Sequence, residues 1–281
     1  LYLYLYLEDL MTDLLLTIKQ TIDKKTDLPF SVYTSKREQN LLNVPIAKPL
    51  LIVVLSGNKE LGKDNEIICN AGNFIFLSDS PAINMRNIPK NSEYFALLIE
   101  FDYQDFNGLQ ISPMNKHQHH IGQTTSVLEE CLHQFVKSTL WAPKHLWCLR
   151  KREIIELLCH MGHKQILSMV GNTKLAHRLH DLFCAHGIHA IHEITNGYIA
   201  KQLAMSDSTI RRKLNAEGTS IQEIKDQARL GLGLHLLQTT RQPISVIADK
   251  CGYQSQSRFT DRFRRRFGLT PSELRKTKMV D

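Results

Sequence analysis

No histidine precedes His117 in this chain of 281 residues. A metal-dependent enzyme built on strands of the N-terminal half needs a His-x-His pair and a carboxylate as ligands, so the absence argues against that chemistry. The six cysteines (Cys69, Cys131, Cys148, Cys159, Cys184 and Cys251) form no C-x-x-C pair. They read as small apolar residues in a reducing, cytoplasmic setting. No stretch reaches the roughly 18 consecutive apolar residues of a membrane span. The longest runs, Pro49–Leu55 and Phe95–Ile99, have the length of strands. The opening Leu1–Leu7, alternating Leu and Tyr, has neither Met nor a basic flank and makes a poor secretory signal. It reads as an alternating strand or as a gene-start artefact.

Charge is also unevenly absent. Residues 1–176 hold 18 basic and 18 acidic residues, whereas His177–Asp281 holds 17 basic and 10 acidic. The whole formal +7 therefore lies in the C-terminal part. A neutral module joined to one that attracts polyanions has this distribution, and so does a protein with a basic solvated face.

That basic part repeats itself. Ile199, Ala200 and Leu203 recur 48 residues later as Ile247, Ala248 and Cys251. Ser206, Ser208, Ile210 and Leu214 recur after 49 residues as Ser255, Ser257, Phe259 and Phe263. Gly218 and Ser220 recur after 50 as Gly268 and Thr270. Each copy reads as a short apolar helix, a turn and an arginine-rich helix, the outline of a helix-turn-helix.

Capping chemistry sharpens the boundaries. Ser206 is placed to cap a helix over Asp207–Asn215, with Ile210 and Leu214 inward and Ser208, Arg211 and Arg212 outward. Ser220 and Glu223 have capping-box spacing at the start of a connecting helix, Ile221–Leu237. Such a helix is about 25 Å long, which with the flanking units suits recognition helices one turn of B-DNA apart. Gly231 and Gly233 inside it each cost about 1 kcal/mol relative to Ala. Close packing or a soft spot would account for them. In the second unit Gly252-Tyr253 makes the turn, Ser255 caps Gln256–Phe267, and Phe259, Phe263 and Phe267 form its apolar stripe. Thr270-Pro271-Ser272-Glu273 opens a last helix.

The N-terminal half has a different texture. Glu8–Asp23 has helical spacing. Residues 28–103 contain short β-rich runs, among them Leu50–Leu55, Glu66–Cys69, Asn73–Leu77 and Tyr94–Phe101, separated by turn residues. Helical patterns follow at Val127–Ser138, Lys144–Val170 and Lys174–Ala185, and periodicity weakens at His186–Thr195, the expected linker.

Residues 196–278 resemble the DNA-binding domain of the AraC/XylS family of bacterial transcription regulators. The run Ile247-Ala248-x-x-Cys251-Gly252-Tyr253-x-Ser255-x-Ser257-x-Phe259-x-x-x-Phe263-Arg264-x-x-Phe267-Gly268-x-Thr270-Pro271 follows the family signature almost position for position. The first unit matches more loosely, through Leu203–Ser206, Arg212, Leu214 and Glu217–Ser220; Arg229-Leu230 and Leu236-Leu237 match the linker helix. The resemblance implies an α+β, two-domain protein: a cupin-like β-barrel with a helical appendage, then an all-α domain with two helix-turn-helix units. The expected segments are 1–27 (extension and helix), 28–110 (sensing domain), 111–186 (dimerisation or connector helices) and 187–281 (DNA-binding domain). Lys48–Gly57 and Ala71–Phe74 carry the weaker resemblance of the barrel.

Carried over by position, Ser208, Arg211 and Arg212 face bases in the first unit, and Gln256, Ser257, Arg258 and Asp261 in the second. Arg donates two hydrogen bonds to guanine and Gln pairs similarly with adenine. Asp261 stands where small or basic side chains are usual; it reads a cytosine amino group or pairs with an arginine. Gly233 replaces a common alanine. Arg262, Arg264, Arg265 and Arg266 spread around the helix and cannot all face bases, so Arg264 and Arg265 are expected at phosphates, together with Ser206, Ser255 and Thr260. The implied partners are promoter DNA, RNA polymerase, a homodimer and a small-molecule effector, with no cofactor and no membrane. An acidic effector could be held by Lys59, Arg86 or Lys90. The alternatives are a metal-dependent cupin enzyme, against which the lack of histidine before His117 argues, and a zinc or redox sensor built on His117/His119/His120, Cys159/His160/His163 and His177/His180, each with an attached DNA-binding domain.

Overall fold

In a computed structural model, residues 2–25, 27–64, 66–78, 80–90, 92–109, 118–170 and 174–278 are described. Helix α1 (Tyr2–Lys24) precedes eight strands: β1 (Ser31–Ser35), β2 (Gln39–Ile46), β3 (Leu50–Ser56), β4 (Asn58–Leu61), β5 (Ile67–Asn70), β6 (Asn73–Leu77), β7 (Ser80–Ile88) and β8 (Tyr94–Glu100). Strand β9 (His119–Gln123) follows. Then come α2 (Ser126–Ser138), α3 (Trp147–His160), α4 (Gln165–Val170) and α5 (Leu175–His186). The C-terminal helices are α6 (Asn196–Leu203), α7 (Asp207–Ala216), α8 (Ile221–Thr239), α9 (Ile244–Lys250), α10 (Gln256–Phe267) and α11 (Pro271–Lys276).

The strands form two antiparallel sheets, ordered β1-β8-β3-β6-β9 and β2-β7-β4-β5. Among the described residues the two sheets face one another across a shared core without closing into one barrel. The reason for the apolar run at Leu50–Leu55 is that β3 is central and buried on both faces. One face, with Leu51, Val53, Phe74, Phe76, Leu97 and Ile99, packs on α1 to α4 through Leu14, Ile18, Leu132, Phe135, Ile155 and Ile166. The other, with Ile52, Val54, Ile75 and Ala96, meets Leu41, Leu61, Cys69 and Met85 of the second sheet. That second core runs on without a break into Leu234, Leu237, Phe259, Phe263 and Phe267 of the C-terminal helices.

Several expectations shift. The alternating start is helical in α1, because the Leu/Tyr run continues into the helical spacing of Glu8–Asp23. The helix expected over Lys144–Val170 is two, broken at Met161–Lys164. Strand β9 lies past residue 110 and completes the larger sheet beside β6. Helix α5 sends Leu175, Leu179 and Phe183 into the core of the first repeat with Ile199, Ile210 and Leu214. At His186–Thr195 the chain is a 3-10 turn, Ile188–Glu193, with Ile188 and Ile191 buried in that same core. An apolar pair three residues apart suits such a turn, and this accounts for the lost α-helical period.

Candidate nucleic-acid interface

The two repeats fold as α6-turn-α7 and α9-turn-α10, joined by α8. Serine side chains start both second helices. The Ser206 hydroxyl accepts the Thr209 N–H at 3.3 Å, and the Ser255 hydroxyl accepts the Arg258 N–H at 3.3 Å. Each satisfies a donor that the first helical turn leaves unpaired. Ile210 and Leu214 of α7, and Phe259, Phe263 and Phe267 of α10, are buried as the spacing requires. This leaves Ser208, Arg211 and Arg212 exposed on α7, and Gln256, Ser257, Arg258 and Asp261 exposed on α10. All seven expected base-reading side chains thus lie on solvent faces of the two second helices.

Their present partners are weak. Arg211 Nε donates to Asp207 one turn back at 2.9 Å, and Arg258 Nη1 donates to Gln254 Oε1 at 3.4 Å. An exposed pair of this kind contributes little and exchanges readily. Asp261 forms no ion pair with the described residues. Among the residues expected at phosphates, Arg264 and Arg265 are exposed and Thr260 is half-buried, while the Ser206 and Ser255 hydroxyls are already engaged as caps. Arg266 turns away: Nε donates to Asn43 O at 2.8 Å and Nη1 to Glu223 Oε1 at 2.7 Å. The expected capping box at Ser220 is therefore half made. Ser220 accepts the Glu223 N–H, but the Glu223 carboxylate serves Arg266 and Gln227 instead. Thr270 and Glu273 do form the full box.

Helix α8 has 19 residues, about 28 Å. A Cβ on Gly233 would lie 2.8 Å from Phe259 Cε2 and 3.4 Å from Cys251 Sγ, so this glycine lets α8 and α10 approach. A Cβ on Gly231 would lie 3.7 Å from Pro45 Cγ, an ordinary contact distance. Arg229, which sequence alone connects only to the linker pattern, binds the second turn in three ways. Nε donates to Cys251 O at 2.8 Å, Nη2 to Gly252 O at 2.6 Å, and the guanidinium stacks 3.7 Å from the Tyr253 ring centroid. Its side-chain reach to a turn 23 residues away leaves no periodic trace in sequence.

A buried polar chain connects this unit to the sheets. Lys59 Nζ donates to Asn87 Oδ1 at 2.7 Å, and Asn87 Nδ2 to Gln39 Oε1 at 2.8 Å. Gln238 Nε2, from α8, donates to the same oxygen at 3.0 Å, and Gln39 Nε2 donates to Thr277 at 2.8 Å. Lys59 is 3% exposed, and burial pulls its ammonium down to about 8. Of the other expected effector cations, Arg86 is paired with Glu38 and Glu60, and Lys90 is exposed.

Two of the three histidine groups touch. His120 Nε2 and His163 Nδ1 meet at 2.9 Å, with burial lowering the pKa of both. His180 Nδ1 lies 3.7 Å from Cys184 Sγ. His117 lies outside the described residues, among which no group of three or more His, Cys, Asp or Glu could hold a metal ion. No described helix is long and apolar enough to cross a membrane.

Residues 199–277 match the family model described as a helix-turn-helix domain. These residues form an AraC-type helix-turn-helix domain. Over 77 residues the chain is 36% identical to the urease operon transcriptional activator of Escherichia coli, covering 27% of this chain and 26% of that one. Over 82 residues it is 38% identical to the transcriptional regulator GadX of E. coli K12, covering 29% and 30%. The match thus spans less than a third of these relatives. Across nearly the whole chain the fold is similar to that of ToxT from Vibrio cholerae. An apo variant gives a TM-score of 0.65 at 14% identity, covering 90% of this chain and 99% of that one. Wild-type ToxT, described with an unsaturated fatty acid bound, gives 0.63 at 15%, covering 89% and 95%. The AraC-type domain and the β-rich domain before it together have this two-domain architecture.

Proposed function

We propose that the protein is a sequence-specific, DNA-binding transcription regulator that lays α7 and α10 in successive major grooves of promoter DNA. One observation carries this: two serine-capped helices with arginine-bearing solvent faces, held by one packed spacer helix in the basic part of the chain. Ser208, Arg211 and Arg212 read one half-site; Gln256, Ser257, Arg258 and Asp261 read the other. Arg264 and Arg265, with Ser206, Ser255 and Thr260, meet phosphates. DNA would displace Asp207 from Arg211, exchanging a solvated pair for a bidentate guanine contact that contributes about 1–3 kcal/mol of discrimination. With about six to eight phosphate contacts, log K falls with log[salt] with a slope of about −5 to −7.

Regulation is assigned to the sheet domain. Its buried Lys59 is in hydrogen-bond series with Gln238 of α8, so an acidic small molecule near Lys59 would act directly on the spacer helix. The fatty acid named with ToxT supports an effector of this class in a similar fold. Exposed Val127, Trp141 and Leu149 support self-association through the helical layer. The output is contact with RNA polymerase in the cytoplasm. Binding of Arg211→Ala and Arg258→Ala proteins to duplexes varied one base at a time tests the assignment. Each substitution relaxes preference in its own half-site only; equal weakening on every duplex, random ones included, would refute base reading by these residues.

A further inference from the structure

The 3-10 turn Ile188–Glu193 belongs to neither repeat, yet it is wedged between them. Ile188 and Ile191 enter the core of the first unit. The carbonyl oxygens of Ile188 and His189 lie against the turn of the second, where a Cβ on Gly252 would come within 3.0 Å of both. Burying the isoleucines turns His189 and His192 outward, and both are exposed. Across from them stands the solvent face of α10, with Arg258, Arg262 and Arg265 each about one helical turn from the next. The two histidines and these arginines line a single open groove of about 700 Å³. Arg229 at its base is committed to the backbone of Cys251 and Gly252. Four arginines face two acids, Asp249 and Asp261, so the groove is cationic before any histidine gains a proton.

We infer that this turn is a third DNA-contacting element, in which His189 and His192 donate ring N–H hydrogen bonds to phosphates of the strand bordering the groove entered by α10. The inference rests on the proposed DNA-binding reading, and on one further observation, that the histidines share a cationic groove with the outer face of α10. An imidazole N–H serves a phosphate oxygen in either protonation state. The occupant is duplex backbone because the groove is open along α10 and flanks the base-reading positions Arg258 and Asp261.

The test uses the full chain and a duplex enriched by selection. His189→Ala/His192→Ala is expected to weaken binding about fivefold to thirtyfold, by the same factor on selected and random duplexes, leaving base preference unchanged. His192→Ala alone, a change at an exposed side chain, is expected to show a smaller loss of the same kind and guards against a folding defect. Neutral methylphosphonates flanking the second half-site should abolish the difference between parent and double variant. Parent-like binding by the double variant, while Arg258→Ala still loses half-site preference, overturns the inference and leaves the DNA-binding reading intact. Parent-like binding by Arg211→Ala and Arg258→Ala as well overturns both. Perturbation of the two histidine resonances by inorganic phosphate but not by duplex also overturns it.

Discussion

Gln238 of the spacer helix donates a hydrogen bond to Gln39 of β2 at 3.0 Å, across 199 residues of sequence. Both residues are 1% exposed. Gln39 Oε1 also receives Asn87, so losing Gln39 strands two buried donors. Gln39→Ala should destabilise the chain by about 1–3 kcal/mol for each donor left unpaired. In urea denaturation, Gln39→Ala and Gln238→Ala should be non-additive by at least about 0.5 kcal/mol. Additivity within about 0.3 kcal/mol would mean that this bond does not couple the domains.

The two glycines of α8 should respond oppositely to alanine. Gly233→Ala pushes a methyl against the Phe259 ring and is expected to destabilise by about 1–3 kcal/mol. Gly231→Ala has ordinary contact distance to Pro45 and should stabilise by up to about 1 kcal/mol. Similar effects of both on thermal unfolding would contradict close packing at Gly233.

The helix-turn-helix turns make a second contrast. Gly252 has φ +72°, and the Ile188 and His189 carbonyl oxygens lie 3.0 Å from where a Cβ would stand. Gly252→Ala should therefore cost about 1–3 kcal/mol and misplace α10. At the equivalent point of the first unit stands Ala204, exposed with φ 51°. Ala204→Gly should stabilise by about 0.5–1 kcal/mol, since it relieves a left-handed alanine. Unfolding midpoints that move in the same direction would refute this contrast.

Glu129 of α2 is 1% exposed, and neither carboxylate oxygen has a hydrogen-bond partner among the described residues. Burial first, and Asp13 second, push its pKa from 4.5 up to about 7. Between those values the folded chain binds more protons than the unfolded one, so this residue's contribution falls as pH rises through the window. Glu129→Gln should therefore be more stable than the parent at pH about 7.5, by on the order of 1–3 kcal/mol, with the difference fading toward pH about 4.5. A parallel pH dependence of the two proteins, measured by urea unfolding, would remove Glu129 as its source.

Legibility in the sequence followed the range of the interactions. Ser255, Phe259, Phe263, Phe267 and the Thr270–Glu273 box act within a few residues of one another, so pattern and capping chemistry revealed them. The apolar run at β3 was equally plain, because a strand buried on both faces needs no alternation. Gln39, Asn87 and Lys59 were not legible as a unit. Polar residues scattered on strands look like surface until the fold sets them side by side. The turn at Ile188–Glu193 was hidden for a related reason, since it touches both repeats and shares the period of neither. Glu223 misled because its capping-box spacing was overridden by a distant arginine, Arg266.

The most direct test of the central claim is the affinity of the single chain for duplexes in which the two selected half-sites are moved apart. Helix α8, packed through Gly233 and held by Arg229, fixes the separation of α7 and α10. One sharp optimum is expected near one helical turn of DNA, with binding falling toward the random-duplex level when about 5 base pairs are inserted. Equal affinity at every spacing would contradict a fixed separation of the two helices on DNA.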